Sequence, residues 1–163
     1  MPPYYYSFQK YNKENMAKVA GVALPISTKL SIEVCRVLRY KTITRARKIL
    51  QDVVDQKKAI PFKKFHGDLG HKPKMGPGRY PIKVASEIMK LLDAVEANAQ
   101  FKGLNTSNLF IIHIKANTGS RPWHFGRKRR RKMKRTTIEI FVEEKKTETK
   151  EKKEVKKDKK DQK

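Results

Sequence analysis

Nine Arg and Lys residues and no acid occupy the fifteen positions from Arg121 to Arg135, within the stretch "SRPWHFGRKRRRKMKRTTIEIF". Cations at this density pair with phosphates. Trp123, His124 and Phe125 beside them add ring faces on which bases can stack, and Gly126 permits a close backbone approach. A run of this kind can also be a nuclear-localisation-like patch or a solvated loop. Its position argues against both, because it lies between two apolar segments, "LFIIHIKAN" and "TTIEIFVEE", that read as strands. If residues 119–135 continue those strands, about eight residues a side at about 3.3 Å each project roughly 25 Å beyond the sheet. A two-stranded ribbon is marginal even when neutral, so phosphates are expected to relieve the repulsion. The candidate nucleic-acid contacts here are Arg121, Trp123, His124, Phe125, Arg127, Lys128, Arg129, Arg130, Arg131, Lys132, Lys134 and Arg135.

Two further segments carry the same chemistry. Residues 57–80, "KKAIPFKKFHGDLGHKPKMGPGRY", hold seven Lys or Arg residues, three aromatics, three Pro and four Gly, with Asp68 the only acid. A stretch this long without helical or strand period is uncommon inside a compact domain. It reads as a basic loop insertion ordered by an external surface, with Lys63, Lys64, Lys74 and Arg79 as candidate contacts. At the N-terminus, Tyr4, Tyr5, Tyr6, Phe8 and Tyr11 alternate with Lys10 and Lys13 in an extended arm over residues 1–16. The rings either contact nucleic acid or cap the core. Nucleic-acid contact is the favoured reading, with Tyr4, Tyr6, Phe8 and Lys10 as its candidates.

Enzymatic chemistry finds no support. His66 and His71 have no neighbouring Cys or third His to complete a metal site, and Cys35 reads as a small buried hydrophobe. Glu87, Asp93 and Glu96 sit at solvating spacings on a helix. No Ser or Cys nucleophile is paired with a base, so no catalytic, metal or cofactor site and no small-molecule substrate is expected. With 40 Lys and Arg against 16 Asp and Glu, the formal charge of +24 favours a polyanionic partner. A single Cys excludes an internal disulfide framework and suits a reducing compartment. No run approaches transmembrane length, and the polar, aromatic start does not resemble a secretory signal. A soluble, intracellular protein is expected.

The elements that position these groups lie in residues 17–144, long enough for one domain. "AKVAGVAL" from Ala17 reads as a short strand interrupted by Gly21. A first helix follows, with Ser27 as N-cap and Leu30, Val34, Val37 and Leu38 on one face. A second is capped by Thr42 or Thr44, with a stripe of Ala46, Ile49, Leu50 and Val53. Between Pro81 and Gly103, residues Val84, Ile88, Leu91, Leu92, Val95 and Ala99 keep helical spacing over about 30 Å. Alternation places Phe110, Ile112 and Ile114 on one strand face, and Ile138, Ile140 and Val142 on another. These elements predict an α+β fold in which a small antiparallel sheet packs on three helices, with a basic β-hairpin extension. From Lys145 the chain has ten Lys, five acids and one apolar residue. Such a tail cannot bury enough surface to fold alone and reads as disordered.

The order of these elements, with "YSFQ", "AKVAGVALPIS", "RYKTITRARKILQDVV", "MGPGRYPIKVASEIMKLLDAVEANAQFKGL", "HIKAN" and "RPWHFGRKRRRKMKRTTIEIFVEE", resembles the large-ribosomal-subunit protein twenty-two family, seventeen in the eukaryotic series. The likeness covers roughly residues 4 to 144. "GPGRYP" and "YSFQ" resemble the archaeal and eukaryotic branch, and the compact ending favours archaeal. The resemblance implies a cytoplasmic, ribosome-bound structural protein. It would bind large-subunit ribosomal RNA, touch neighbouring ribosomal proteins and support assembly, the residues carried over by motif being Arg121, Trp123, His124, Phe125, Gly126, Arg127 and the cations through Arg135. Its hairpin would run toward the exit tunnel and the nascent polypeptide. Asn98, on the long helix, is structural by the same likeness. One departure stands out: only "TGS" separates "HIKAN" from "RPWHFGR", where the family has a longer ascending arm.

Overall fold

The computed structural model describes residues 4–145. The tail expected to be disordered lies, after Lys145, outside the described residues. Chain order is β1 (Met16–Leu24), α1 (Thr28–Leu38), α2 (Ile43–Val54), β2 (Ile60–Pro61), β3 (His71–Lys72), β4 (Gly76–Arg79), α3 (Ile82–Phe101), β5 (Leu109–Thr118) and β6 (Thr136–Glu144). The main sheet is antiparallel in the order β1-β6-β5. The three helices cover one of its faces, which makes the fold α+β as the sequence implies.

Register shows how that face is built. Ala17, Val142 and Ile111 form one row across the sheet, Val19, Ile140 and Ile114 the next, and Gly21, Ile138 and Ala116 the third. Val34, Leu38, Ala46, Leu50, Ile88, Leu92 and Val95 meet these rows from the helices with no measurable exposure. Gly21 interrupts β1 for a steric reason: a Cβ there would lie 2.9 Å from a methyl group of Leu91. Its absence lets α3 close on the strand. Asn98, on α3, donates its amide to the Lys18 carbonyl at 3.0 Å and so ties helix to strand, the structural part expected of it.

Two local expectations are corrected. In β5 the inward residues are Leu109, Ile111 and Ile114, while Phe110 and Ile112 are only half-buried. The register shifts between Ile111 and His113, so a bulge at Ile112 reverses the alternation. Ser27 occupies the N-cap position of α1 but makes no side-chain cap bond. Thr42 does cap α2, accepting from the Arg45 amide at 3.3 Å.

Residues 57–80 require a larger correction, for they are not a loop waiting for an external surface. They fold into a second small sheet, β2-β4-β3, and bury Ala59, Ile60 and Phe62. Glu33, fully buried on α1, accepts the amides of Lys63 and Lys64 at 3.2 and 3.0 Å and pairs with Arg36 at 3.1 Å. The buried carboxylate adds to the short β2-β4-β3 ladders, and together they order a stretch without sequence period.

Leu92 lies at the centre of α3 with no exposure. Leu92→Asp strands an unpaired charge among Ile88, Val95 and the β1–β6 rows, at a cost of more than about 3 kcal/mol. Soluble yield and the urea midpoint should both collapse, and wild-type-like unfolding would mean α3 is not the spine of the fold.

Candidate nucleic-acid interface

The basic hairpin stands on β5 and β6 but does not prolong their ladder. Regular pairing ends at Thr118 and Thr136. Beyond it the arms are held by Gly119 N–H to the Arg135 carbonyl at 3.1 Å, Met133 N–H to the Pro122 carbonyl at 2.8 Å, and His124 N–H to the Arg131 carbonyl at 2.9 Å. Trp123 and Lys132 form one isolated bridge, and the tip is a 3-10 turn over Gly126–Lys128. The expected extension of regular strand is therefore corrected. Pro122 has no N–H to give a ladder, and Gly126 and Arg130 take φ values of +62 and +64 that strands do not accommodate. Nothing lies within 4 Å of a Cβ built on Gly126, so the turn, not a close contact, is what requires glycine there.

The side chains on this frame point outward. Phe125 is 86% exposed and Trp123 60%, with the Lys132 ammonium 4.7 Å from the indole centroid. Arg127, Lys128, Arg129, Arg130, Arg131, Lys132 and Lys134 are all exposed, and His124 is half-buried. Arg121 and Arg135 brace the base: the Arg121 Nε donates to the Met133 carbonyl at 3.0 Å, and Arg135 to the Ala23 carbonyl at 3.1 Å. In the insertion, Lys63, Lys64, Lys74 and Arg79 are exposed as well. Their backbone is fixed and their charges are free for a partner.

The N-terminal arm lies elsewhere. Tyr6, Phe8 and Tyr11 pack around Phe141 on the sheet face opposite the helices, at centroid distances of 5.2, 4.9 and 5.8 Å. Phe8 stacks on His113 at 5.1 Å, and Tyr4 meets Tyr6 edge-on. The Lys18 ammonium sits 4.4 Å over Tyr6 and 4.6 Å over Tyr11. Of the two readings left open for these rings, capping of the core is the one seen; Tyr4, Tyr6 and Phe8 are engaged within the chain, whereas Lys10 and Tyr5 remain exposed.

At the centre of that cap is a group with no sequence signal beyond one acid inside an apolar strand. Glu139, fully buried, accepts the Ser7 amide at 3.0 Å and the Ser7 hydroxyl, and faces His113 Nε2 at 3.3 Å. Ser, His and an acid together suggest nucleophilic catalysis, but the order is wrong. The carboxylate lies between serine and histidine, so the imidazole that would have to activate the hydroxyl meets the acid instead. The trio is a clasp that fastens the arm. Burial raises the Glu139 carboxyl, but the hydroxyl and amide of Ser7 together with His113 outweigh it and hold the group below its ordinary value. Cys35 is equally inert, its thiol pushed by burial up to about 12. Among the described residues no group of three or more His, Cys, Asp or Glu could hold a metal ion.

A body fastened by buried carboxylates, presenting dense unpaired cations and exposed rings on a braced hairpin, defines a basic structural protein built for a polyanionic partner. Residues 20–143 match the family described as ribosomal protein L22p/L17e, and the chain belongs to that family. It is 40% identical over 146 residues to large ribosomal subunit protein uL22 of Archaeoglobus fulgidus, covering 85% of this chain and 94% of that protein. The protein of the same name from Thermofilum pendens is 41% identical over 133 residues, 78% and 87% of the two chains. That from Methanoculleus marisnigri is 42% identical over 139 residues, 80% and 91%. The chain is accordingly a ribosomal protein, not an enzyme, and its place is the cytoplasmic ribosome.

The clasp carries a pH signature. The folded Glu139 carboxyl titrates below its unfolded value of 4.5, so its contribution is full above that pH and is lost as pH falls through the lower folded value. The protection of the Ser7 amide, relative to its intrinsic exchange rate at each pH, should fall on acidification before that of the α3 amides, and Ser7→Ala should move the loss of arm protection, read at Phe8, to higher pH. Uniform loss of protection across arm and core would contradict a separate clasp.

Proposed function

We propose that this chain is a structural component of the large ribosomal subunit that binds large-subunit ribosomal RNA, supports subunit assembly beside neighbouring ribosomal proteins, and directs hairpin 119–135 toward the nascent polypeptide in the exit tunnel. One observation carries the reading. Nine cations, no acid and two exposed rings stand on a hairpin whose root strand, β6, is buried from Thr136 to Val142. A charged projection on so rigid a root suits insertion between phosphate-lined surfaces, where cations replace released counterions and rings stack on bases. The exposed cations of the insertion, Lys63, Lys64, Lys74 and Arg79, and Lys10 on the arm offer further contacts to the same kind of partner. The names borne by the relatives, all large-subunit proteins, support the assignment to that subunit.

Replacing residues 119–135 with Asn-Gly tests it. Thr118 and Thr136 are register partners at the end of the ladder, so a two-residue turn can close there. The body should keep its melting temperature. Affinity for a large-subunit RNA fragment, measured from about 50 to 500 mM salt, should fall, and the log-log salt slope should flatten by about 0.7 to 0.9 for each phosphate the variant no longer neutralises. Large subunits assembled with the variant should be depleted or altered in nascent-chain passage. Normal subunits and an unchanged slope would make the hairpin a dispensable solvated loop.

A further inference from the structure

Three segments far apart in sequence meet at the root of the hairpin. The start of α1, the turn after β2 and the two hairpin arms enclose an open cleft of about 620 Å³, lined by Lys29, Ile32, Phe65, Arg121, Lys134 and Arg135. It continues into a second lobe of about 420 Å³, which shares Lys29, Phe65 and Lys134 with the first and adds Leu30, Phe62 and Arg79. Five cations line this continuous groove, no acid does, and none of the five is in an ion pair among the described residues. Glu33, four residues after Lys29 on α1, does not line the groove and is consumed by Arg36 and the amides of Lys63 and Lys64. The half-buried Phe65 ring lies between two ammonium groups, Lys29 at 5.9 Å and Lys64 at 5.7 Å.

We propose that this groove seats a single strand of RNA, its phosphates against Lys29, Arg79, Arg121, Lys134 and Arg135 and one unstacked base on Phe65. The proposal rests on the RNA-binding reading above and deepens it. Like charges that converge with no acid between them need an anion. An aromatic platform at the junction of two lobes fits the π-face of a base, and a groove open at its surface admits a chain rather than a free ion. Acidic polypeptide would satisfy the charge but would leave Phe65 unused. The consequence is mechanical. Arg121, Lys134 and Arg135 belong to the hairpin, Lys29 to α1 and Arg79 to β4, so a strand lying across all three fixes the angle at which the hairpin leaves the body.

The test uses the full chain and a ten-nucleotide uridine strand carrying 4-thiouridine. Wild type should crosslink at Phe65. The double substitution Lys29→Gln, Arg79→Gln removes two exposed cations outside the hairpin and should leave the melting temperature unchanged. It should also lower the log-log salt slope by about 1.4, at about 0.7 per single-strand phosphate contact, and abolish the Phe65 crosslink. Lys128→Gln, Arg129→Gln at the hairpin tip should leave that crosslink in place. If the cleft variant keeps the wild-type slope while the tip variant loses it, RNA lies on the hairpin alone; the groove proposal fails and the broader function stands. If wild type binds with no salt dependence, both fail. Displacement of the strand by polyglutamate at equal concentration, or a wild-type crosslink confined to Trp123 or Phe125, would likewise overturn RNA as the occupant of the groove.

Discussion

The structure depends on β6 being buried from both sides. Its inward residues Ile138, Ile140 and Val142 meet the helices, its outward residues Glu139 and Phe141 lie beneath the N-terminal arm, and Thr137 accepts the Ala23 amide, all with at most 7% exposure. A central strand covered on both faces cannot slip register without driving Glu139 into the apolar layer or Ile140 into the polar clasp. The hairpin enters this strand directly at Thr136, whose hydroxyl donates to the Ile26 carbonyl at 2.9 Å. The point at which the hairpin leaves the sheet is therefore set by a strand that has one available seating.

Two buried carboxylates do complementary work around that strand. Glu139 fastens the arm over the outer face, and Glu33 fastens the insertion beside α1. Each is satisfied chiefly by backbone or hydroxyl donors rather than by Lys or Arg, with Arg36 the one ion pair of the ordinary kind. The excess of cations thus stays on the surface, available to a partner, while Glu33 and Glu139 are the two acids buried among the described residues. Several of the remaining acids are engaged locally, as where Arg47 reaches Asp93 at 2.5 Å and Glu96 at 2.7 Å.

What could be read in the sequence was what local period encodes. The stripes of α1, α2 and α3 are legible because apolar residues at helical spacing must share a face, and Ile138, Ile140 and Val142 are legible because alternation in β6 is unbroken. The face of β5 was not, because the bulge at Ile112 inserts one residue that no composition marks. Residues 57–80 read as structureless because their strands are only two to four residues long and are anchored by Glu33, at least 24 positions earlier. The arm was ambiguous for the same reason: rings interleaved with lysine serve a core or a nucleic acid equally well until Phe141 and Glu139 are seen opposite them. Of the candidate site, the hairpin cations were visible as a run, whereas the convergence of Lys29, Phe65 and Arg79 on the hairpin root exists only in three dimensions.

The clasp between Ser7 and Glu139 joins positions 132 residues apart. Synthesis runs from the N-terminus, so the arm leaves the ribosome long before the strand it must cover, and Tyr4, Tyr6, Phe8 and Tyr11 spend nearly the whole of translation without their seat. Pairing across such a separation is slow to close. The helices, whose contacts are more local, can form first. The last strand to be made then completes both faces of the sheet at once, so a chain truncated before β6 lacks more than an edge: it has no central strand for β1 and β5 to share, and its aromatic arm is left as an exposed, adhesive segment.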